Sequence, residues 1–245
     1  MRVPSPPKRY PIEGVEVDLY HGNIDDMHHH VPAESVDIIL TDPPYPKEFL
    51  HTWRSLGAFA ESALKPGGHL FAMSGHAWLP EVFDALKQPG LRYNWILAMA
   101  PLVSGSFTCI GRRIVRSTWK PILWYTKGGS SVHEQLSDLI PTGVKNKKYH
   151  HWGQGGHEFQ WILSCLKRPK PAVVCDPFIG GGTTAIACIK EGYRCIACDV
   201  DKVAVMTTKS RIDTRQFEFQ LEREEENETE DTGDSPVPNF IGRMQ

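Results

Sequence analysis

The stretch AVVCDPFIGGGTTAIACIKEGYRCIACDVD, residues 172–201, decides the fold of this chain. An apolar run leads into three consecutive glycines, a segment with apolar residues at helical spacing follows, and a second apolar run closes the stretch. This order predicts a strand, a tight loop, a helix and a second, parallel strand. Because such units build open sheets covered by helices, we expect an α/β fold with a doubly wound, mostly parallel sheet.

The same alternation continues outward over most of the chain. Short apolar runs predict strands at residues 15–20, 36–41, 69–73, 93–99, 121–125, 172–175 and 194–198. Apolar residues three and four positions apart predict helices at residues 49–64, 77–86, 159–166 and 183–190. The polar stretch 128–156, which carries six glycines, is predicted as the least sheet-like part before the C-terminal tail.

The glycine loop, Gly180–Gly182, predicts a ligand site. Glycines let the backbone come close to a ligand, and Thr183 can cap the following helix, whose free N–H groups face the loop. Asp199 ends the next strand, where a carboxylate can accept hydrogen bonds from ribose hydroxyls. The spacing Gly180-x-Gly182-x-x-Ala185 also fits a loose dinucleotide fingerprint, so an NAD oxidoreductase stays open as an alternative.

A second motif follows another predicted strand, in VDIILTDPPY at residues 36–45. Pro43 and Pro44 stiffen the chain where it leaves the sheet, and their missing N–H groups leave carbonyls exposed. Asp42 and a proline carbonyl can together accept both hydrogens of an amino group. Tyr45 offers a flat face on which a base can stack. An NAD oxidoreductase leaves this motif without a role.

The two motifs together resemble those of the amino-group DNA methyltransferases, which use S-adenosylmethionine. TDPPY (41–45) precedes DPFIGGGTT (176–184), the order of the permuted β group of that family. The likeness runs from about residue 15 to residue 206. It includes LKPGG (64–68) and, after Arg112 and Arg113, PILWYTKG (121–128). The resemblance implies a Rossmann-like methyltransferase fold with permuted motif order.

In this family a methyl group passes to an exocyclic amine of a base turned out of the duplex. The resemblance implies that Asp42 and the Pro43 carbonyl bind that amine and that Tyr45 stacks on the base, with Pro44 completing the catalytic motif. It assigns S-adenosylmethionine to Asn23, Ile24, Gln154, Asp176, Phe178, Gly180, Gly182, Thr183 and Asp199. Two of these positions depart from the family pattern, because Asn23 stands where an acid is usual and the lysine that usually follows Gln154 is missing.

The acceptor base is predicted from the first residue of the catalytic motif. An aspartate rather than a serine before Pro-Pro-Tyr favours adenine N6 in this family. Cytosine N4 stays as an alternative with the same chemistry. A catalytically silent subunit that binds the donor or DNA is the alternative from another class.

The chain is predicted to divide into a methyltransferase domain, 1–216, and an acidic, disordered tail, 217–245. Residues 222–245 carry eight acids against two arginines, which leaves residues 1–221 with a net charge of +4. A short insert at about 128–153 is the candidate target-recognition segment. The candidate DNA-binding residues are Arg112, Arg113, Arg116, Lys145, Lys147 and Lys148.

Composition excludes several classes of protein. With 40% hydrophobic and 23% charged residues, the chain is neither fibrous nor disordered throughout. The longest nearly apolar stretch, 95–103, is half the length of a membrane helix, so we expect a cytoplasmic protein that binds no membrane. The family resemblance implies DNA as its partner. The six cysteines are predicted as core residues and His28–His30 as solvated side chains, so no metal is expected. A homodimer and a restriction-system partner stay open.

Overall fold

A nine-stranded mixed sheet forms the frame of the described part of the chain. The structure is a computed structural model and describes residues 8–12, 14–101, 108–109, 116–129, 136–142, 157–166 and 168–214. The strands are β1 (Lys8–Ile12), β2 (Val15–His21), β3 (Val36–Thr41), β4 (Leu64–Met73), β5 (Leu91–Pro101), β6 (Thr108–Cys109), β7 (Arg116–Ser117), β8 (Lys120–Lys127), β9 (Leu139–Thr142), β10 (Val173–Asp176) and β11 (Arg194–Asp199). The helices are α1 (Leu50–Ala63), α2 (Leu79–Ala85), α3 (His157–Leu166), α4 (Thr183–Glu191) and α5 (Lys202–Asp213), with 3-10 helices at Ile24–His29 and Lys47–Phe49.

The strand order in the sheet is β1-β2-β11-β10-β3-β4-β8-β5-β9, and β6 pairs with β7 in a separate ribbon. The central neighbours β2, β11, β10, β3 and β4 all run parallel, as do β5 and β9. Strands β1 and β8 run antiparallel to their neighbours. The predicted α/β class with a mostly parallel sheet is thereby confirmed.

Each face of the sheet carries its own hydrophobic core. Ile38 and Leu40 of β3 point to the face covered by α3, α4 and α5, where they join Ile186. Ile39, between them, points to the other face and joins Trp53 of α1. Because successive strand residues face opposite sides, a fully apolar strand such as β3 must be covered on both. The helices on both faces follow from this requirement.

All seven predicted strands and all four predicted helices are present, most of them with shifted ends. Five further strands and helices were not predicted, and neither were the two 3-10 helices; the five are β1, β6, β7, β9 and α5. Strands β1 and β9 form the two edges of the sheet, where a proline is tolerated and an apolar alternation is not required. Helix α5 has a weak apolar period because two polar residues, Thr208 and Arg211, lie on its buried side.

The cysteine prediction can be tested on the strand β11. Cys195 and Cys198 are both buried, and they lie in the cores on opposite faces of the sheet. Both are free thiols. They pack as small core residues, as expected. Among the described residues, no group of three His, Cys, Asp or Glu side chains is arranged to hold a metal ion.

A buried histidine, which lies opposite Ile38 in the sheet, joins β4 to β8. His69 is fully buried, and the Trp124 indole Nε1 donates to its Nδ1 at 3.1 Å. Its Nε2 has no hydrogen-bond partner among the described residues. Burial, together with the nearby Arg168 charge, lowers the pKa of His69 to about 3. The ring is therefore neutral at any pH at which the protein would be studied.

This histidine makes folding sensitive to acid. The unfolded chain takes up a proton near the ordinary value of 6.5, whereas the folded chain does not until about pH 3. The contribution of His69 to the free energy of unfolding should therefore fall by about 1.4 kcal/mol for each pH unit below 6.5. H69Q keeps an acceptor for Trp124 and removes the proton uptake. As the pH falls from 6.5 to 5, the free energy of unfolding of the variant, measured in urea, should rise by ~2 kcal/mol relative to that of the wild type. A difference that does not change with pH would contradict this account.

Candidate active site

The two predicted motifs leave neighbouring strands at the same edge of the sheet. Strand β10 pairs with β3 in parallel, with Val174 opposite Ile38 and Cys175 opposite Ile39. The chain order diverges at this pair, since β3 leads through α1 to β4 on one side and β10 leads through α4 to β11 on the other. Ligands of open α/β sheets bind in the crevice at such a point, outside the carboxyl ends of the strands.

A buried carboxylate connects the two motifs directly. Asp176, 2% exposed, accepts a hydrogen bond from the Thr41 hydroxyl at 2.6 Å through Oδ1 and one from the Thr184 hydroxyl at 2.5 Å through Oδ2. The Phe178 backbone N–H also donates to Oδ1, at 3.0 Å. Burial raises the pKa of Asp176 to about 7, although the three hydrogen bonds oppose the shift. Asp176 therefore braces the catalytic strand against the cofactor loop, and its predicted contact with the donor stays a prediction.

The catalytic turn is held by contacts from three sides. The Tyr45 hydroxyl donates to Asp42 Oδ1, and Lys120 Nζ lies 3.2 Å from the same hydroxyl and 5.0 Å from the centre of the Tyr45 ring. The Trp53 indole N–H donates to the Pro44 carbonyl at 3.1 Å. Burial and the Asp42 carboxylate raise the pKa of Tyr45, so its hydroxyl stays protonated and keeps donating.

The glycine loop has one open side and one closed side. Gly180 has φ +51°, and a β-carbon built on it would meet no atom nearer than 4.0 Å. Gly182 has φ +86°, and its β-carbon would lie 2.8 Å from the Thr208 hydroxyl of α5. Gly182 therefore serves close packing against α5, which is a different reason for glycine from the ligand contact predicted for it. Gly180 faces the open side.

The open side of the loop fits S-adenosylmethionine. The Gly180 N–H and the Asp201 N–H donate to the two oxygens of Asp199, at 2.9 Å each, which fixes this partly exposed carboxylate at the end of β11. Each oxygen keeps a lone pair for a ribose hydroxyl. The N-terminus of α4 begins at Thr183, beside the loop, and its backbone N–H groups suit the carboxylate of an amino acid. The space next to Gly180 is the cradle that a side chain there would fill.

The N-terminal strand β2 leads to Asn23 and Ile24, two residues predicted to bind the donor. Asn23 follows β2, which neighbours β11, but its side chain caps the 3-10 helix that begins at Ile24, and the Asp26 carboxylate accepts from its backbone N–H. Ile24 is 2% exposed and packs in the core. Its side chain is therefore not available to a ligand, which leaves only its backbone for the predicted contact.

Several predicted residues lie outside the described part of the chain. They are Gln154, Arg112, Arg113, Lys145, Lys147 and Lys148, together with the acidic tail 217–245 and most of the insert 128–153. Arg116 begins β7, of which the backbone is described. Conversely, three residues at the site were not predicted: Thr41, Trp53 and Lys120. Thr41 stood within the quoted motif, and Lys120 directly precedes PILWYTKG, so position beside a motif was the available signal.

Comparisons with known proteins agree with this geometry. Residues 157–235 match the family described as D12 class N6 adenine-specific DNA methyltransferase. The type II methyltransferase M2.DpnII of Streptococcus pneumoniae is 24% identical in an alignment 246 positions long, which spans 80% of this chain and 89% of that protein. The crystal structure of an M1.HpyAVI–SAM complex superposes with a TM-score of 0.63 at 21% identity, over 80% of this chain and 99% of that one. PvuII DNA methyltransferase, described as cytosine-N4-specific, superposes with a TM-score of 0.65 at 16% identity, over 80% of this chain and 86% of that one.

These comparisons confirm the resemblance to the amino-group DNA methyltransferases and the Rossmann-like fold that it implied. The family match covers α3, α4 and α5 with the glycine loop, so it includes the cofactor half of the site and not residues 41–45. The catalytic half of the site, residues 41–45, lies outside the family match. It is assigned to the site because β3, which leads into it, pairs with β10. In the part of the chain that the structure describes, no helix has the length and apolar character needed to cross a membrane.

Proposed function

We propose that this chain, as a relative of the amino-group DNA methyltransferases, is an S-adenosylmethionine-dependent DNA methyltransferase that modifies adenine N6. The observation that carries the proposal is the hydrogen bond of 2.6 Å between Thr41 and Asp176, which joins the catalytic motif to the cofactor loop across 135 positions of the chain. A donor on the loop and an amine on the catalytic turn then share one crevice. Holding two reactants in attack geometry can lower a barrier by about 7–11 kcal/mol.

S-adenosylmethionine, when bound, supplies an activated methyl group. The chain therefore has to bind the donor, orient it towards the target amine and neutralise the charge that develops on that amine. Asp199 would hold the ribose, and the loop at Gly180 with the N-terminus of α4 would hold the amino-acid end. Asp42 and the Pro43 carbonyl would accept the two hydrogens of the target amine. The neighbouring Pro44 carbonyl already accepts from Trp53, which fixes the turn in which Pro43 sits. As the amine nitrogen gains positive charge, the carboxylate of Asp42 stabilises it.

Adenine N6 is favoured over cytosine N4 by the family match and by Asp42. The relatives whose names mention type II methyltransferases support a role beside a restriction enzyme, and a homodimer is compatible with this role. We propose the division into residues 1–216 and a tail, 217–245, with DNA contacts from Arg112, Arg113, Arg116, Lys145, Lys147 and Lys148. We also propose a cytoplasmic location.

The proposal is tested by incubating the purified chain with unmethylated genomic DNA and S-adenosylmethionine labelled in its methyl group. Digestion to nucleosides and mass spectrometry should give labelled N6-methyladenine. Labelled N4-methylcytosine would show that cytosine, and not adenine, is the acceptor. The proposed site would still be supported. No incorporation, with donor binding confirmed by calorimetry, would identify a silent subunit. Binding of NAD instead of S-adenosylmethionine in the same titration would overturn the proposal.

A further inference from the structure

Residues from three segments surround Tyr45 at the carboxyl edge of the sheet, and none of them belongs to the predicted DNA-binding set. The first segment is the 3-10 helix Lys47–Phe49, two positions after Tyr45. The second is the loop 74–78 after β4, where a β-carbon on Gly75 would lie 3.5 Å from the Tyr45 side chain. The third is the start of β8, where Lys120 contacts the Tyr45 ring and hydroxyl. We call Lys47, His76, Trp78, Trp119 and Lys120 the rim.

The rim consists of cations paired with aromatic rings. Lys47 Nζ lies 5.1 Å from the centre of the Trp78 ring, and Lys120 Nζ lies 5.0 Å from that of Tyr45. His76 meets Trp119 edge-on, with ring centres 4.4 Å apart at 88°. The Ser117 hydroxyl, 3.0 Å from His76 Nδ1, fixes this ring, and burial lowers the pKa of His76. His76 is therefore a neutral ring that positions Trp119. The positive charge of the rim comes from its two lysines.

The rim leaves both kinds of group available. Trp119 is 37% exposed although it is one of the largest apolar side chains, and Lys47 is exposed beside Trp78. Among the described residues, neither Lys47 nor Lys120 forms an ion pair with a carboxylate. Lysines that have no carboxylate partner and lie beside flat, partly exposed rings are the groups that bind a nucleic-acid strand, because the cations meet phosphates and the rings meet unstacked bases.

We infer that the rim binds the DNA strand that carries the target base, with Trp119 and Trp78 contacting the nucleotides next to it and Lys47 and Lys120 contacting their phosphates. The inference rests on the proposed function, since it places the strand by the extruded base on Tyr45. The position of the rim supports this inference, because every rim residue is within three positions of Tyr45 itself or of a residue that lies against it. Extruding a base leaves its neighbours partly unstacked, and an aromatic face at the mouth compensates for that loss.

The test compares rim variants with exposed residues of the same type elsewhere. Trp119→Ala should raise the KM for DNA about 5–150-fold, the loss that corresponds to one stacked base, and leave the Kd for S-adenosylmethionine, measured by calorimetry, unchanged. Trp119→Tyr keeps a flat ring and should restore most of the affinity. Lys47→Gln should lower the slope of log affinity against log salt by about 0.7–0.9.

Trp95→Ala and Lys87→Gln are the matched controls. Trp95 is 53% exposed on β5 and donates to Asp138, and Lys87 pairs with Asp84, both away from Tyr45. Neither change should alter the KM for DNA. An unchanged KM in folded Trp119→Ala and an unchanged salt slope in Lys47→Gln would overturn the inference, while methyl transfer by the wild type would still support the proposed function. An equal loss in Trp119→Ala and Trp95→Ala would overturn it as well.

Discussion

Replacing Asp42 by asparagine is expected to lower kcat by about 10²–10⁴-fold, because the change removes the negative charge that stabilises the amine as it gains positive charge. The side chain keeps its size and one acceptor oxygen, so the Tyr45 hydroxyl can still donate to it. The donor site lies across the crevice, on the glycine loop and Asp199. We therefore expect the Kd for S-adenosylmethionine to stay within a factor of two or so of the wild type.

Two further variants make this result specific. Asp84→Asn removes an equally charged but exposed carboxylate, paired with Lys87 on the surface, and should leave kcat unchanged. Tyr45→Phe keeps the stacking ring and removes the hydroxyl that occupies Asp42, so its effect should be much smaller than that of Asp42→Asn. Single-turnover methyl transfer to DNA is the measurement. Undiminished turnover in Asp42→Asn would exclude the assigned role of this carboxylate.

Replacing Asp176 by alanine is expected to have the largest effect on folding. The change leaves the hydroxyls of Thr41 and Thr184 buried with their common acceptor removed, at about 1–3 kcal/mol for each. It also frees the catalytic strand from the cofactor loop, so kcat should fall in any folded fraction. Asp176→Asn keeps the shape and one acceptor oxygen, and it should retain more stability. Urea unfolding and single-turnover kinetics of both variants test this.

Measuring stability at several pH values separates the effect of the titrating carboxyl group of Asp176 from the effect of the shape of its side chain. The pKa of this group is about 7 in the folded chain and 3.8 ordinarily, so the folded chain binds the extra proton between these values. Its contribution to the free energy of unfolding is full below pH 3.8 and decreases by about 1.4 kcal/mol per pH unit until pH 7. Asp176→Asn lacks this decrease and should gain on the wild type as pH rises from 5 to 7. A difference independent of pH would contradict the buried, titrating carboxyl group.

A role of Asp176 in positioning, beyond stability, is tested through its partner Thr41. Thr41→Val removes the hydroxyl that donates to Asp176 and keeps the volume of the side chain. We expect kcat to fall while the Kd for S-adenosylmethionine is kept, and Thr41→Ser should restore kcat. A merely structural contact would change stability in both variants and leave kcat of the folded enzyme unaltered.

His69 and Asp176 illustrate how far local pattern reaches. Both stand in apolar runs, which predicted the strands β4 and β10 correctly. Their opposite pKa shifts could not be predicted, because each is caused by burial in the packed core. The charge of Arg168, 99 positions away, adds to the shift of His69, and the hydroxyls of Thr41 and Thr184 oppose that of Asp176. Desolvation depends on the packed environment, which periodicity does not describe.

Sequence pattern alone was sufficient for the fold class, the central strands, the two motifs and the family they resemble, since these depend on residue types at short spacing. Three features needed the packed structure. They are the adjacency of β3 and β10, the distinction between an open Gly180 and a packed Gly182, and the position of Lys120 against Tyr45. Each is a contact between segments far apart in the chain, and strand order and side-chain direction are set only when both faces of the sheet are buried together.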